Sequence, residues 1–333
     1  MSTYVLLPLR FLSSVHFGDA SGGGGLDALQ LTCRADTFFS ALCAEAARLG
    51  DEALSRLVAK AESGEIAFSD LLPWYKRGNT YEWYIPKPML LIDGKGRQAQ
   101  SLQEVKKNAS IQKKAKKRAF FRTSELRLYI DACRCGSSSL KDEPDFANSI
   151  SQVHFNGRER VPYSTGSYFF APNAGLYIVI RLSQKEDMSW LSALIHLIGL
   201  SGIGGRKSSG MGRFTEEMSY RVLNGTEDNK DEAAMYELLM DTKAAQQMSL
   251  CSLLPKKEEI EAAARGNGLW ICRSGLSWSE GMESPAKMHT IYMMAAGSCL
   301  SNRLEGRIAD VSTPAVSHPV YRYGKGLYVG VPT

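Results

Sequence analysis

A cationic glycine-rich segment, GIGGRKSSGMGRF at residues 202–214, constrains the fold more than any other stretch of the chain. It contains five glycines, three Lys or Arg residues and two serines, and it follows an apolar segment at 188–199 that is typical of a helix. A phosphate-binding loop of the G-x-x-x-x-G-K-[ST] type is excluded, because Arg206 and Ser201 occupy the two glycine positions. A dinucleotide-binding fingerprint is excluded as well, because Lys207 stands where its third glycine belongs.

A turn between a helix and a strand needs only one or two glycines for positive φ. The others allow a ligand to approach the backbone closely, and successive N–H groups can form an anion-binding nest. Arg206 can bind a phosphate through two N–H groups, and Lys207 adds a point charge. The pattern therefore favours a cradle for an RNA backbone over a simple turn. The residues assigned to this cradle are Gly202, Gly204, Gly205, Arg206, Lys207, Ser208, Ser209 and Gly210.

The order of predicted elements indicates an α+β fold with two ferredoxin-like domains. Residues 1–223 read as strand–helix–strand, a long insertion at about 80–150, and strand–helix–strand, which is the βαββαβ order of ferredoxin-like domains and RNA-recognition motifs. The glycine-rich loop occupies 202–212 in this scheme. Residues 224–333 are predicted to be a second, degenerate copy. The polar and acidic stretch at 224–232 is predicted to be a solvated linker.

The predicted insertion holds the densest positive charge of the chain. KKNASIQKKAKKRAFFR at 106–122 has eight Lys or Arg residues and no Asp or Glu. Such a run is usually a solvated surface or a mobile arm. The complete lack of acidic residues nevertheless favours contact with nucleic-acid phosphates, with Phe120 and Phe121 as stacking surfaces. The cations assigned to RNA here are Lys113, Lys114, Lys116, Lys117 and Arg118.

The first predicted strand, TYVLLPLR, leads into a loop that begins with SVHFGD. A ferredoxin-like arrangement would bring this loop, residues 16–25, next to the glycine-rich loop, where His16 and Phe17 are candidates for stacking on unpaired bases. The next segment, RADTFFSALCAEAARLG, has apolar residues at helical spacing, with Asp36 placed as the N-cap. His196, in an apolar helix, is predicted to be a core histidine.

Charge and cysteine content only weakly constrain the possible partners and the cellular compartment of the protein. The net charge of +5 and the pI near 8.7 permit an anionic partner without requiring one. The seven cysteines are odd in number and form no C-x-x-C pair, and the apolar run near the N-terminus is broken by Pro8 and Arg10. No stretch approaches the roughly 18 apolar residues of a membrane span. We expect a cytoplasmic prokaryotic protein that has reduced thiols and that binds no cofactor, no metal and no membrane.

The chain resembles the RAMP superfamily of CRISPR proteins, whose members carry a glycine-rich loop after the second helix of a ferredoxin-like fold. GIGGRKSSGMGRF is close to the typical form of that loop. More narrowly, the chain is similar to the subunit-four family of type III-A (Csm) effector complexes. RADTFFSAL resembles the SDT-F-SAL segment of that family, IPKPML its LPKP segment, and KKAKKRAFF the basic run that follows. AAGSCL, GRIADV and HPVYRYGKGLYVGV match its closing pattern in the same order.

This resemblance implies a non-catalytic, RNA-binding subunit of an antiviral ribonucleoprotein. Such subunits hold the 5′ tag of the CRISPR RNA and bridge the large polymerase-like signalling subunit to the first backbone RAMP subunit. They also use a β-hairpin thumb to kink the duplex of guide and target RNA beside the tag, and here the insertion would be that thumb. The further RNA-binding residues that the resemblance implies are Gly18, Arg34, Asp36, Thr37, Asn156 and Arg160.

Two segments depart from the family pattern. NGRER at 156–160 keeps the Asn and Arg of the family's N-x-I-D-R segment but has Arg158 and Glu159 in place of its Ile and Asp. Ala35 replaces the serine that precedes Asp36.

Two other classes of function are alternatives. Related ferredoxin-like RAMP proteins cleave CRISPR RNA precursors without metal, using a histidine as general base, and His16 is placed for that role. A protein–protein scaffold without RNA would leave both the basic run and the cationic loop unexplained. In the second unit, Trp270 and Trp278 are more typical of a core than of a partner-binding surface.

Overall fold

The computed structural model describes residues 2–18, 27–91, 101, 117–135, 142–155, 161–277 and 282–332. Its first ten strands are β1 (Thr3–Phe11), β2 (Ile66–Phe68), β3 (Leu72–Arg77), β4 (Thr80–Pro86), β5 (Phe120–Arg122), β6 (Ala147–Phe155), β7 (Pro162–Phe170), β8 (Ala174–Leu182), β9 (Phe214–Glu216) and β10 (Arg221–Leu223). Eight of them form one antiparallel sheet in the order β10–β1–β8–β3–β4–β5, in which β2 also pairs with β8 and β9 with β1. The two central strands, β1 and β8, pair from Thr3–Leu182 to Leu9–Leu176.

Helices connect the strands of this sheet. They are α1 (Ala35–Leu49), α2 (Asp51–Glu62), α3 (Leu126–Cys135) and α4 (Asp187–Ser201). The first two lie between β1 and β2, α4 lies between β8 and β9, and α1 packs against both α2 and α4. The prediction of a helix over 188–199 is therefore confirmed. The largest fully buried side chains include Trp74, Trp83, Tyr177, Phe38, Phe39 and Phe68.

Phe121 belongs to this core. It is 1% exposed, and its ring centroid lies 4.0 Å from that of Tyr129 on α3. The proposal that Phe121 offers a stacking surface is therefore wrong. Because β5 joins the sheet beside β4, alternate side chains of β5 point into the core.

The strands β6 and β7 form a separate hairpin, paired from Ala147–Phe170 to Phe155–Pro162. Most of the β6 side chains are exposed, including Val153 and Phe155. Most of the hairpin lies after the predicted insertion at about 80–150, and that range includes β4 and β5 of the large sheet.

The C-terminal residues form smaller antiparallel sheets around two short helices. These elements are α5 (Lys230–Met240), β11 (Gln246–Ser249), α6 (Ile260–Ala264), β12 (Trp270–Arg273), β13 (Leu276–Ser277), β14 (Ala286–Lys287), β15 (Ile291–Met294), β16 (Cys299–Leu300), β17 (Ala309–Asp310), β18 (Tyr321–Arg322) and β19 (Tyr328–Val331). They pair as β16–β11–β19, β12–β15, β13–β14 and β17–β18. Tyr323 is fully buried against Phe39 and Phe68, so the two parts of the chain share one core.

Two predictions for the C-terminal part are wrong. The acidic stretch predicted as a solvated linker ends in a helix, where Asp231 is fully buried and Glu232 is 3% exposed. Asp231 accepts a hydrogen bond from Arg122 over 3.0 Å, and Glu232 accepts one from Trp83 over 3.1 Å, so these carboxylates fix α5 to the large sheet. Trp270, predicted to be in a core, is 42% exposed at the edge of the β12–β15 pair.

Within the described ranges, no helix is long and apolar enough to cross a membrane.

Candidate nucleic-acid interface

The glycine-rich loop runs from the end of α4 to β9 and is closed at its base. The N–H of Ile203 donates to the carbonyl of Gly212 over 3.0 Å. Gly212 has a φ of +76°, and a Cβ at this position would lie 2.0 Å from the Ile203 carbonyl oxygen. No other residue type fits there without moving the backbone, so the sequence fixes this narrow loop base with glycine.

The apex of the loop is a short 3-10 turn, Lys207–Ser209, whose residues are exposed. Arg206 precedes it in the left-handed region, with φ 60° and ψ 30°, which is uncommon for a residue with a side chain. The N–H groups of Ser209 and Gly210 donate to the carbonyls of Arg206 and Lys207 over 3.0 and 2.9 Å. These two N–H groups are used inside the turn, so the apex presents mainly its side chains to solvent.

The start of the loop after β1 lies beside the glycine-rich loop, as the sequence predicts. The N–H of Gly205 donates to the carbonyl of His16 over 2.9 Å. A Cβ on Gly204 would lie 2.7 Å from that carbonyl oxygen, and one on Gly205 would lie 2.6 Å from Cδ2 of the His16 ring. The two glycines therefore permit the close approach of His16. Residues 19–25 of the predicted loop lie outside the described ranges.

The two predicted stacking side chains are both buried. Phe17 is 3% exposed and packs edge-on against Phe11, with ring centroids 6.2 Å apart. His16 is 9% exposed, and its Nδ1 lies 2.7 Å from the carbonyl oxygen of Gly166 on β7. Because a carbonyl can only accept, Nδ1 carries the proton and Nε2 is the basic nitrogen of the neutral ring. Burial leaves neither ring a free face on which a base could stack.

Arg206 connects the glycine-rich loop to the hairpin. Its Nη2 donates to the hydroxyl of Tyr163 over 3.0 Å, and its Cζ lies 5.5 Å from the centroid of that ring. Nη1 lies 3.4 Å from Nε2 of His154. Tyr163 and His154 face each other across the strand pair. Sequence reasoning gave neither residue a role, because the pairing of the two strands and their distance from the loop cannot be read from spacing.

Neither Arg206 nor Lys207 forms an ion pair with another residue in the described part of the chain. The partners of Arg206 are a hydroxyl and an imidazole, and Lys207 is exposed. Their positive charge is therefore available to an anion at the apex of the loop.

Asp36 has a different environment from the one predicted. The N-cap position of α1 is occupied by Arg34, and Asp36 lies inside the first turn with no exposed surface, so the predicted N-cap is wrong. Its carboxylate accepts hydrogen bonds from Arg273 over 2.9 and 3.1 Å and from Arg322 over 2.8 Å. Burial opposes ionisation of Asp36, but the two guanidinium groups outweigh burial and hold its pKa below the ordinary value.

The remaining predicted residues are dispersed. Thr37 accepts a hydrogen bond from Arg273 over 3.1 Å, and Arg34 is half-buried at the start of α1. Gly18 lies next to His16, forming a bridge with Leu29. At the other side of the sheet, Lys117 is exposed and Arg118 lies 5.6 Å from the Phe121 ring centroid. The predicted residues outside the described ranges are Lys113, Lys114, Lys116, Asn156 and Arg160.

His196 is exposed on α4, so its prediction as a core histidine is wrong. The apolar sequence around it covers most of the helix surface, and the side that carries His196 and Leu200 faces solvent. Composition alone does not distinguish this side from the buried one.

Solved structures share the arrangement of the whole chain. A chain of a Csm3–Csm4 subcomplex from a type III-A CRISPR–Cas interference complex superposes with a TM-score of 0.61 at 18% identity, over 100% of both chains. A chain of a Csm1–Csm4 cassette in complex with pppApA superposes with a TM-score of 0.58 at 15% identity, over 99% of this chain and 98% of that one. At these identities the likeness establishes the fold.

The mixed α/β fold with antiparallel sheets and the sequence comparisons together identify a RAMP-type CRISPR protein. Residues 242–331 match the family described as CRISPR Csm4 C-terminal domain. The Csm4 protein of Mycobacterium tuberculosis (strain CDC 1551 / Oshkosh) is 32% identical over 332 residues, 95% of this chain and 94% of that protein. The Csm4 protein of Streptococcus thermophilus is 27% identical over 98% of both. The chain belongs to the Csm4 family of type III-A CRISPR systems.

Proposed function

We propose that this chain is a non-catalytic subunit of a type III-A effector complex and that it binds the 5′ tag of the CRISPR RNA at the apex of its glycine-rich loop. The observation that carries the proposal is the unpaired charge of that apex. Arg206 and Lys207 lie together at the surface, and no carboxylate among the described residues pairs with either of them. A phosphate is the natural partner for an arginine–lysine pair of this kind.

The backbone of the loop supports the same proposal. Arg206 adopts a left-handed conformation, which costs a residue with a side chain about 1–3 kcal/mol. Strained conformations of this kind cluster at binding sites, where the surrounding structure holds them. Here the closed base of the loop and the contact between Gly205 and His16 hold Arg206 in place before the RNA binds.

The strand order supports a ferredoxin-like reading of the N-terminal part. Taking β1, β3, β8 and β10 as the four strands of a βαββαβ unit gives the sheet order 4-1-3-2, with helices in both crossovers. The β6–β7 hairpin leaves this sheet immediately before β8, and we assign it the role of the thumb. The second ferredoxin-like copy over 224–333 stays a prediction.

The bridging role rests on what relatives do. Solved complexes named for Csm3 with Csm4 and for Csm1 with Csm4 contain chains of this fold. For this chain we propose contacts with the large signalling subunit and with a backbone RAMP subunit, and contact of the thumb with target RNA near the tag. Exposed apolar side chains are available for such contacts, a common feature of partner-binding surfaces. They include Val153, Phe155, Val161, Leu269, Trp270 and Tyr292.

The test measures binding of a fluorescent RNA that carries a repeat-derived 5′ tag, by the wild-type chain and by the Arg206→Ala/Lys207→Ala variant. Each lost charge-assisted contact costs about 1–3 kcal/mol, so the variant should bind at least tenfold more weakly. The matched control is Lys257→Ala/Arg265→Ala, which removes the same charge from exposed positions in the C-terminal part and should bind like the wild type.

The same reactions are analysed on gels for cleavage of the RNA, and they are repeated with the large and backbone subunits present. Intact RNA together with a specific loss in the loop variant supports the proposal. Equal binding by the loop variant and the wild type in the assembled complex would falsify the phosphate cradle. RNA cleavage that disappears in His16→Ala would instead identify a processing nuclease.

A further inference from the structure

Two aromatic side chains on the hairpin lie next to the glycine-rich loop. Tyr163 on β7 faces His154 on β6, and their rings are stacked with centroids 5.4 Å apart and planes inclined by 27°. Tyr163 is 37% exposed, whereas the predicted stacking residues His16 and Phe17 are 9% and 3% exposed. Of these four rings, that of Tyr163 offers the most surface to a ligand.

Arg206 lies against this ring pair. Its guanidinium donates to the hydroxyl of Tyr163, approaches Nε2 of His154 and lies 5.5 Å from the Tyr163 ring centroid. A cation that binds phosphate is therefore within one side-chain contact of an exposed aromatic surface. Proteins that recognise single-stranded RNA combine these two features, with cations along the backbone and bases stacked on aromatic rings.

We propose that Tyr163, backed by His154, is a stacking platform for one unpaired nucleobase of single-stranded RNA, and that a phosphate of the same strand binds Arg206 at the glycine-rich loop. This inference rests on the proposed function and adds a base-stacking site to it. Stacking is tolerant of base identity, so the platform holds the strand without reading its sequence. The hairpin then serves the tag at its His154–Tyr163 pair, which lies next to the Phe155–Pro162 pair and far from the Ala147–Phe170 pair beside the large sheet.

The contact between Arg206 and the Tyr163 hydroxyl orients both groups before RNA arrives. In the complex the guanidinium can keep this hydrogen bond through one nitrogen while another binds phosphate, because an arginine carries five N–H donors. Removal of the hydroxyl should therefore cost much less than removal of the ring.

The experiment compares three variants of the full-length chain in the tag-binding assay. Tyr163→Ala removes the ring, Tyr163→Phe removes only the hydroxyl, and Phe169→Ala removes an exposed ring elsewhere on the same strand. Phe169 is 43% exposed and six residues from Tyr163, about 20 Å along a strand. Thermal unfolding of all three checks that the hairpin substitutions leave the fold unchanged. Each protein is titrated with the intact RNA and with a series of RNAs that lack one base in turn.

We expect Tyr163→Ala to bind the intact RNA about tenfold more weakly, while Tyr163→Phe and Phe169→Ala stay within about twofold of the wild type. At one position of the tag, loss of the base should weaken wild-type binding to the same extent. It should not weaken Tyr163→Ala further, because the two changes remove the same contact.

Other outcomes separate this inference from the proposed function. Wild-type affinity of Tyr163→Ala, with weak binding by Arg206→Ala/Lys207→Ala, overturns the platform and leaves the phosphate cradle intact. Additive losses at every position of the RNA also overturn the platform, because they show that no base depends on the ring. Wild-type affinity of both variants overturns the cradle and the platform together.

Discussion

Two arginine sites in this chain have opposite surroundings. Arg273 and Arg322 are 7% and 6% exposed and both bind the buried carboxylate of Asp36. Arg206 lies beside the rings of Tyr163 and His154, on a loop whose apex is exposed. A buried guanidinium needs a carboxylate to offset its lost hydration, so the charge of the first site is used within the fold. The charge of the second site remains available to a ligand.

Substitutions at the two sites should therefore have different consequences. Changes at the Asp36 site should alter the free energy of unfolding, and changes at the loop should alter RNA affinity with little effect on stability. Three measurements test this division, in order of decreasing expected effect.

The largest effect is expected for Asp36→Ala. It leaves two buried guanidinium groups without their carboxylate, and breaking such a buried pair costs about 3–5 kcal/mol. Urea unfolding measures the loss. Asp51→Ala is the matched control, because Asp51 is an exposed aspartate in the first turn of α2 and should cost at most about 1 kcal/mol. Equal losses in the two variants would mean that Asp36 acts as an ordinary helix-start aspartate.

The second effect concerns Asp70, which is 4% exposed and accepts hydrogen bonds from the backbone N–H groups of Ala35 and Ser252. Burial raises the pKa of Asp70 to about 6, and the hydrogen bonds only partly oppose this. Folding therefore favours the neutral carboxyl, so its contribution to stability is present at pH 4 and is lost as the pH rises through about 6.

Asp70→Asn keeps an oxygen that can accept both hydrogen bonds and does not ionise. Relative to the wild type, we expect it to gain about 2 kcal/mol of stability between pH 4 and pH 8. Urea unfolding of both proteins across this range gives the difference. A constant difference would show that Asp70 ionises with the same pKa in the folded and the unfolded chain.

The smallest effect is expected for Lys207→Ala. If Lys207 contacts one phosphate, the slope of log affinity against log salt concentration should fall by about 0.7, the value for one contact with a single strand. Lys230→Ala, at an exposed position on α5, is the control and should leave the slope unchanged. If the slope is the same for Lys207→Ala and the wild type, Lys207 does not contact the RNA. If the unfolding curve of Lys207→Ala differs from that of the wild type, the division between the two sites is contradicted.

Local patterns in the sequence predict the elements around the candidate interface. Apolar spacing predicts α1 and α4, and the glycine-rich segment predicts a tight loop after α4. The position of the His16 loop beside it follows from the predicted βαββαβ order, because that order places the crossover loops of neighbouring strands together.

Contacts between distant parts of the chain cannot be predicted in this way. Aspartate is a common residue type at the N-cap position, so the local sequence suggests that role for Asp36. Its actual partner, Arg273, lies 237 residues later. From the sequence alone, Asp231 and Glu232 at the start of α5 are predicted to be solvated. In the folded chain the large sheet places Arg122 and Trp83 beside them. Tyr163 acquires its position only through the register of the hairpin and its contact with Arg206. Each of these roles depends on tertiary packing and not on local sequence.

The pairing of Asp36 also sets an order of events during synthesis. The ribosome makes about 5–20 residues per second, so Arg273, 237 residues after Asp36, follows it by on the order of 10–50 s. During that interval the start of α1 carries a carboxylate in a region that becomes fully buried in the finished protein. The N-terminal sheet can therefore complete its packing only when the last strands have been made. A chain cut short before Arg273 and Arg322 would keep the glycine-rich loop in its sequence but lack the charges that neutralise Asp36, so stability is tied to completion of the whole polypeptide.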